Sequence, residues 1–145
     1  LVTPTGFGNP RRMTNGIDVN RVLLLIAVLE KRARMNLSNS DIYVNVAGGL
    51  RIDETAVDLG ICAAVATSQA DIPLPPDMIF IGEVGLGGEL RGVSQLEKRI
   101  NEAAKLGFKS AIVPKQSLRG VKIPDGFAAY GIKTISEMIN MLRRK

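Results

Sequence analysis

The sequence predicts one α+β domain, and three observations carry the prediction. Stretches with apolar residues at helical spacing interleave with stretches that alternate apolar and polar, without the strict strand-helix-strand rhythm of a doubly wound sheet. At 145 residues, 46% of them hydrophobic, the chain closes one ordinary core and leaves no room for a second domain of usual size. Clusters of Gly and Pro separate the stretches, with no internal repeat or low-complexity tract among them. Residues 1–145 are expected to form that single domain.

Leu1 to Gly16 is rich in Pro, Thr, Gly and Asn and reads as a strand end followed by an arm or loop. Asp18 is a candidate N-cap for a helix whose apolar face repeats at Val22, Leu23, Leu25, Ile26 and Leu29, and the cations Lys31, Arg32 and Arg34 suit its C-terminus. Asp41 to Val46 alternates, with Ile42, Val44 and Val46 on one side and Tyr43 and Asn45 on the other, as a strand ending at Gly48-Gly49 does. Asp53 or Glu54 is expected to cap a second helix running to about Gln69, whose Ala56, Gly60, Ala63, Ala64 and Ala66 permit close packing. Pro73, Pro75 and Pro76 break the chain before a strand at Met78 to Ile81, and Glu83 to Leu90 reads as a glycine-rich turn into a short strand. A third helix from Ser94 to Leu106 closes on Gly107, Ser110 to Val113 is a further strand, and Ile135 to Leu142 is a last amphipathic helix.

Composition excludes several chemistries. There is no histidine and one cysteine, Cys62, so the commonest metal ligand and general base are missing and a structural zinc site cannot be built from thiolates. Cys62 lies in an apolar helical run and is expected to be buried and inert. The segment Gly82-Glu83-Val84-Gly85-Leu86-Gly87-Gly88 lacks the Gly-Lys-Ser/Thr ending of a P-loop and reads as a tight connection. The longest apolar stretch, Val22 to Leu29, falls short of the roughly 20 residues that span a bilayer, and a cytoplasmic chain without membrane contact is expected. A net charge of +5 favours a polyanionic partner.

Arg51-Ile52-Asp53-Glu54-Thr55-Ala56-Val57-Asp58-Leu59-Gly60, with Gly82 to Arg91 and Leu96-Glu97-Lys98-Arg99, resembles the proteolytic domain of Lon-type proteases. That family places a nucleophilic serine at the start of a helix, where this chain has Asp58, and an activating lysine where it has Glu97, or Lys98 if the alignment shifts by one residue. A Ser-Lys dyad needs a hydroxyl whose proton passes to a neutral amine, and a carboxylate offers neither the proton nor room for an oxyanion. Two nearby carboxylates also repel unless a cation lies between them, for which Lys98, Arg99, Arg51 and Arg91 are candidates. No enzyme activity is expected of this chain. Thr55 and Ser94 are the nearest spare hydroxyls for the alternative, a peptidase with displaced catalytic residues.

Val44 to Arg51, Asp58-Leu59, Phe80 to Leu86, Gly88 to Arg91, Glu102 to Phe108 and the opening Leu1 to Thr5 with Pro10-Arg11-Arg12 are similar to the C-terminal domain of the RadA (Sms) family of bacterial DNA-repair proteins. The resemblance implies a fold like the Lon proteolytic domain and the second domain of ribosomal protein S5, assembled as a hexameric ring. It further implies a longer parent with a four-cysteine zinc finger and a RecA-like ATPase, a branch-migration motor of which this chain is a C-terminal fragment. ATP, Mg and Zn are expected only in that upstream portion, with no cofactor in this chain. The partners it implies are single-stranded or branched DNA, further copies of the chain, and a recombinase.

Within that frame four arginines are the candidate DNA contacts. Arg11 and Arg12 are adjacent on the arm, and Arg51 follows the glycine pair at a strand end. Arg21 sits in the first turn of its helix, where a cation opposes the dipole, so it calls for an external phosphate or for Asp18 or Asp53. With two Tyr, four Phe and no Trp, contacts are expected to fall on the backbone and not on stacked bases. Arg143-Arg144-Lys145 is a possible supplement, although cations are ordinary at a helix end. The remaining alternative is a pure oligomerisation or docking scaffold.

Overall fold

The computed structural model describes residues 1–144; Lys145, the end of the terminal basic run, lies outside the described residues. Among the described residues there are two three-stranded sheets, one two-stranded hairpin, four α-helices and three short 3-10 turns. The first sheet has the order β1 (Val2–Pro4), β3 (Ser40–Asn45), β2 (Arg12–Asn15), with β1 antiparallel and β2 parallel to the central β3. The second is wholly parallel, in the order β4 (Met78–Phe80), β7 (Ser110–Pro114), β8 (Ala128–Ile132). Between them in sequence lies the β5 (Glu83–Val84) and β6 (Leu90–Arg91) hairpin.

The helices are α1 (Val19–Arg32), α2 (Asp58–Ala70), α3 (Leu96–Lys105) and α4 (Ile135–Arg143). In α1 the Asp18 side chain accepts from the Asn20 amide at 3.1 Å, the expected cap, and Val22, Leu25, Ile26 and Leu29 are buried. Leu23 faces outward, 43% exposed. Thr134 caps α4 by accepting from the Glu137 amide at 3.3 Å, while Glu137 Oε1 accepts from the Lys133 amide, a reciprocal cap. Gly107 takes φ +97° after α3, the left-handed turn expected of a C-terminal glycine.

Two expectations are corrected. The second helix is not capped by Asp53 or Glu54: residues 55–57 form a 3-10 turn and α2 begins at Asp58 without a side-chain cap. Glu54 instead pairs with Arg99 across to α3, and Asp53 lies 3.4 Å from Arg51. The arm is also more ordered than its composition suggests, since residues 12–15 form the edge strand β2 in register with residues 42–45. The sequence offered no reading of β8, because Ala128, Ala129 and Gly131 break any alternation; Gly131 is needed there, as a Cβ would stand 2.8 Å from Leu118 and 3.0 Å from the Lys115 backbone.

β7 separates two apolar cores. Ile112 faces the larger one, with Leu25, Leu29, Ile42, Leu59, Ile135 and Met138. Ala111 and Val113 face the smaller one, where Leu96, Ile100 and Ala103 of α3 meet Phe127. Cys62 is buried in the larger core, and burial, reinforced by the charge of Asp58, pushes its thiol far above the ordinary range. Among the described residues no helix is long and apolar enough to cross a membrane.

Candidate functional site

Asp58 is the centre of the site, and its carboxylate is closed off. It is fully buried at the first residue of α2, where the helix dipole favours an anion. Oδ1 accepts from Arg21 Nε at 2.9 Å, Oδ2 accepts from Arg21 Nη2, and Oδ2 also takes the Val84 backbone N–H at 3.0 Å. The two-pronged guanidinium grip joins α1 to α2, and the Val84 amide ties both to β5. Hydrogen bonding to Asp58 raises the Arg21 pKa above its ordinary value, so this guanidinium cannot serve as a base.

The cation that Asp58 requires is therefore Arg21, and not Lys98, Arg99, Arg51 or Arg91. Arg21 in turn finds its anion in Asp58, 37 positions away in sequence, and not in Asp18 or Asp53. Glu97 is exposed on α3 and accepts the Lys122 amide at 2.8 Å. Lys98 lines a groove of about 520 Å³ beside Val57, with Ile79, Phe80 and Glu102. Neither residue is hydrogen-bonded to Asp58. Thr55 is exposed in a different hollow, whose lining contains no lysine.

That hollow, of about 220 Å³, brings together two of the four candidate DNA contacts: Arg21 and Arg51, with Asp18, Asp53, Glu54 and Thr55. Arg51 is two-thirds exposed and only loosely paired with Asp53. Its loop is held by Gly16, which accepts the Ile52 amide at 2.7 Å at the end of β2. Arg11 and Arg12 stand at the opposite end of β2, so the four arginines divide into two pairs roughly 10 Å or more apart along the strand. Arg12 is anchored, with Nη2 donating to the Leu37 carbonyl at 2.9 Å and Nη1 to the Ser40 carbonyl.

Arg11 projects from an exposed loop that Asp41 fastens, its Oδ1 accepting from the Arg11 amide at 2.7 Å and the Thr5 hydroxyl at 3.0 Å. These bonds, the amide first, hold the Asp41 carboxyl below its ordinary range. A depressed pKa contributes stability that is fully present above the unfolded value of about 3.9 and lost as pH falls through the lower folded value. Asp41→Ala is accordingly expected to speed amide exchange at Arg11 at neutral pH with little change in melting temperature; unchanged exchange would mean the loop is held some other way.

The sequence did not single out a second basic grouping, Lys115, Arg119 and Lys133, which the fold draws to one hollow. Their separation along the chain hides it. Among the described residues no three His, Cys, Asp or Glu side chains are grouped to hold a metal ion.

The family model described as "Subunit ChlI of Mg-chelatase" matches residues 20–117, a span that includes Arg21, Arg51, Asp58 and Glu97. DNA repair protein RadA of Halalkalibacterium halodurans is 51% identical over 141 residues, covering 97% of this chain and 31% of the relative. The protein of the same name from Bacillus subtilis is 52% identical over 139 residues, 96% of this chain and 30% of the relative. That from Streptococcus pyogenes is 50% identical over 140 residues, with 97% and 31% covered. The chain thus spans just under a third of the length of these curated relatives.

Proposed function

Because the chain belongs to the family described as subunit ChlI of Mg-chelatase, and is about half identical to part of RadA over 97% of its length, we propose that it is the non-hydrolytic, DNA-contacting portion of a RadA-type DNA repair protein. The observation that carries the reading is the Asp58 carboxylate, buried and held by Arg21 and the Val84 amide where a hydrolase of Lon-like shape requires a free hydroxyl. An acid in that setting braces three elements and offers no free hydroxyl.

The work left to such a domain is binding. Arg51 at one end of β2, and Arg11 with the anchored Arg12 at the other, are proposed as phosphate contacts, with Arg21 forming the floor beneath Arg51. A hexameric ring repeats each arginine around a channel, so that contacts weak singly hold DNA by multivalency while an ATPase elsewhere in the parent, with its ATP, Mg and Zn, moves it. A recombinase is a fitting protein partner for that assembly.

The test is light scattering alongside anisotropy of labelled single-stranded and branched DNA across a salt series, for wild type, Arg11→Ala and Arg51→Ala. Each substitution is expected to weaken binding regardless of DNA sequence and to flatten the log-log salt slope by about 0.7 to 0.9 per lost phosphate contact. Rings with no DNA affinity would replace this reading with the scaffold, and cleavage of casein would replace it with the peptidase.

A further inference from the structure

The parallel strands β7 and β8 end side by side, Pro114 paired with Ile132. The next residues in each strand direction are Lys115, which opens a 3-10 turn, and Lys133, so two cations follow the ends of neighbouring strands. Arg119 joins them on the rim of an open hollow of about 670 Å³, whose lining of Lys115, Gln116, Leu118, Arg119 and Lys133 contains no carboxylate. Among the described residues none of the three cations makes an ion pair, whereas Arg21, Arg51, Arg91, Arg99 and Lys105 each do. The nearest acid the hydrogen bonds reveal, Glu137, is engaged with the Lys133 backbone amide at 3.3 Å.

The hollow is built and not incidental. Gln116 Nε2 donates to the Leu90 carbonyl at 3.0 Å and Ser117 Oγ accepts the Val93 amide at 3.1 Å, which pins the 3-10 turn 115–118 against the β6 region. The absent side chain at Gly131 lets Leu118 close down on β8 as an apolar floor. The hollow therefore sets a cationic rim above an apolar floor at the carboxyl ends of two parallel strands, a concave site with few convergent polar groups of one charge.

We propose that Lys115, Arg119 and Lys133 form a phosphate-binding site, separate from the Arg21 and Arg51 hollow, with which it shares no lining residue. Its ligand carries clustered phosphate charge, supplied either by a nucleic-acid strand or by a free nucleotide. The site does not depend on the arginine contacts proposed above. Those contacts and this site fail separately, because Arg51→Ala leaves it intact.

The experiment titrates the chain with sodium tripolyphosphate and with a labelled oligothymidylate, following backbone amide shifts and calorimetric heats, in wild type, Lys115→Gln/Lys133→Gln, Arg119→Gln and Arg51→Ala. Wild type and Arg51→Ala are expected to bind tripolyphosphate with shifts centred on residues 115–119 and 133. In Lys115→Gln/Lys133→Gln the dissociation constant should rise at least tenfold, while the melting temperature without anion stays level. A parallel loss for oligothymidylate identifies the strand as the source; tripolyphosphate affinity lost with oligothymidylate affinity kept identifies a free nucleotide. No shifts at these residues in wild type, or equal affinity in a folded Lys115→Gln/Lys133→Gln variant, overturns the site.

Discussion

Arg21→Ala is expected to lower stability by about 3 to 5 kcal/mol, because it leaves the Asp58 carboxylate buried and unpaired. For a chain of this size that is a fall in melting temperature of roughly 10 °C or more. Val84 would still donate its amide, but one N–H does not replace a guanidinium that grips both oxygens. Arg21→Lys should recover only part of the loss, since an ammonium is a point charge without the planar fork. Arg21→Met/Asp58→Leu should recover most of it by removing both charges at similar volume. Thermal denaturation of the four proteins decides the matter. A melting temperature unchanged in Arg21→Ala, with DNA affinity abolished, would move Arg21 from the brace to the DNA surface.

Gly16→Ala should cost about 1 to 3 kcal/mol for the conformation alone, and more for the overlap it creates. Gly16 has φ +85°, and a Cβ there would lie 2.4 Å from the Leu50 carbonyl oxygen and 2.7 Å from Val46 Cβ. Neither obstacle is the far end of a flexible chain, so the 46–52 loop must shift. That loop carries Arg51, whose neighbour Ile52 donates to the Gly16 carbonyl. The variant is therefore expected to weaken DNA binding as Arg51→Ala does, while also losing stability that Arg51→Ala keeps. Chemical denaturation and the salt-series anisotropy distinguish the two. A Gly16→Ala protein as stable as wild type would show that the loop yields at no cost, and the positioning role of Gly16 would be abandoned.

The helices were legible because their signals are local. Asp18 caps within two residues, Gly107 turns the chain directly after α3, and the apolar spacing of α1 and α4 marks their buried faces. The site was half legible. Asp58 stood out through its position in a family-like motif, and the dipole mismatch at Arg21 called for an anion. Which anion was hidden, because Asp53 and Asp58 are both more than 30 positions from Arg21 and only the packing of α1 against α2 chooses between them. Residues 12–15 and 128–132 gave no reliable strand signal, since strands this short take their identity from the partner they pair with.

By itself the sequence determined the existence and order of the four helices, the lack of histidine, and an acid, Asp58, at the start of the second of them. Only the tertiary structure decided that Arg21 grips that acid, that Glu97 turns to the Lys122 amide, and that Lys115 and Lys133 emerge side by side. The division has one physical cause. Capping and amphipathic periodicity act over about four residues and are written in the local chain, whereas charge partners and strand neighbours are chosen by how distant segments pack around the shared core.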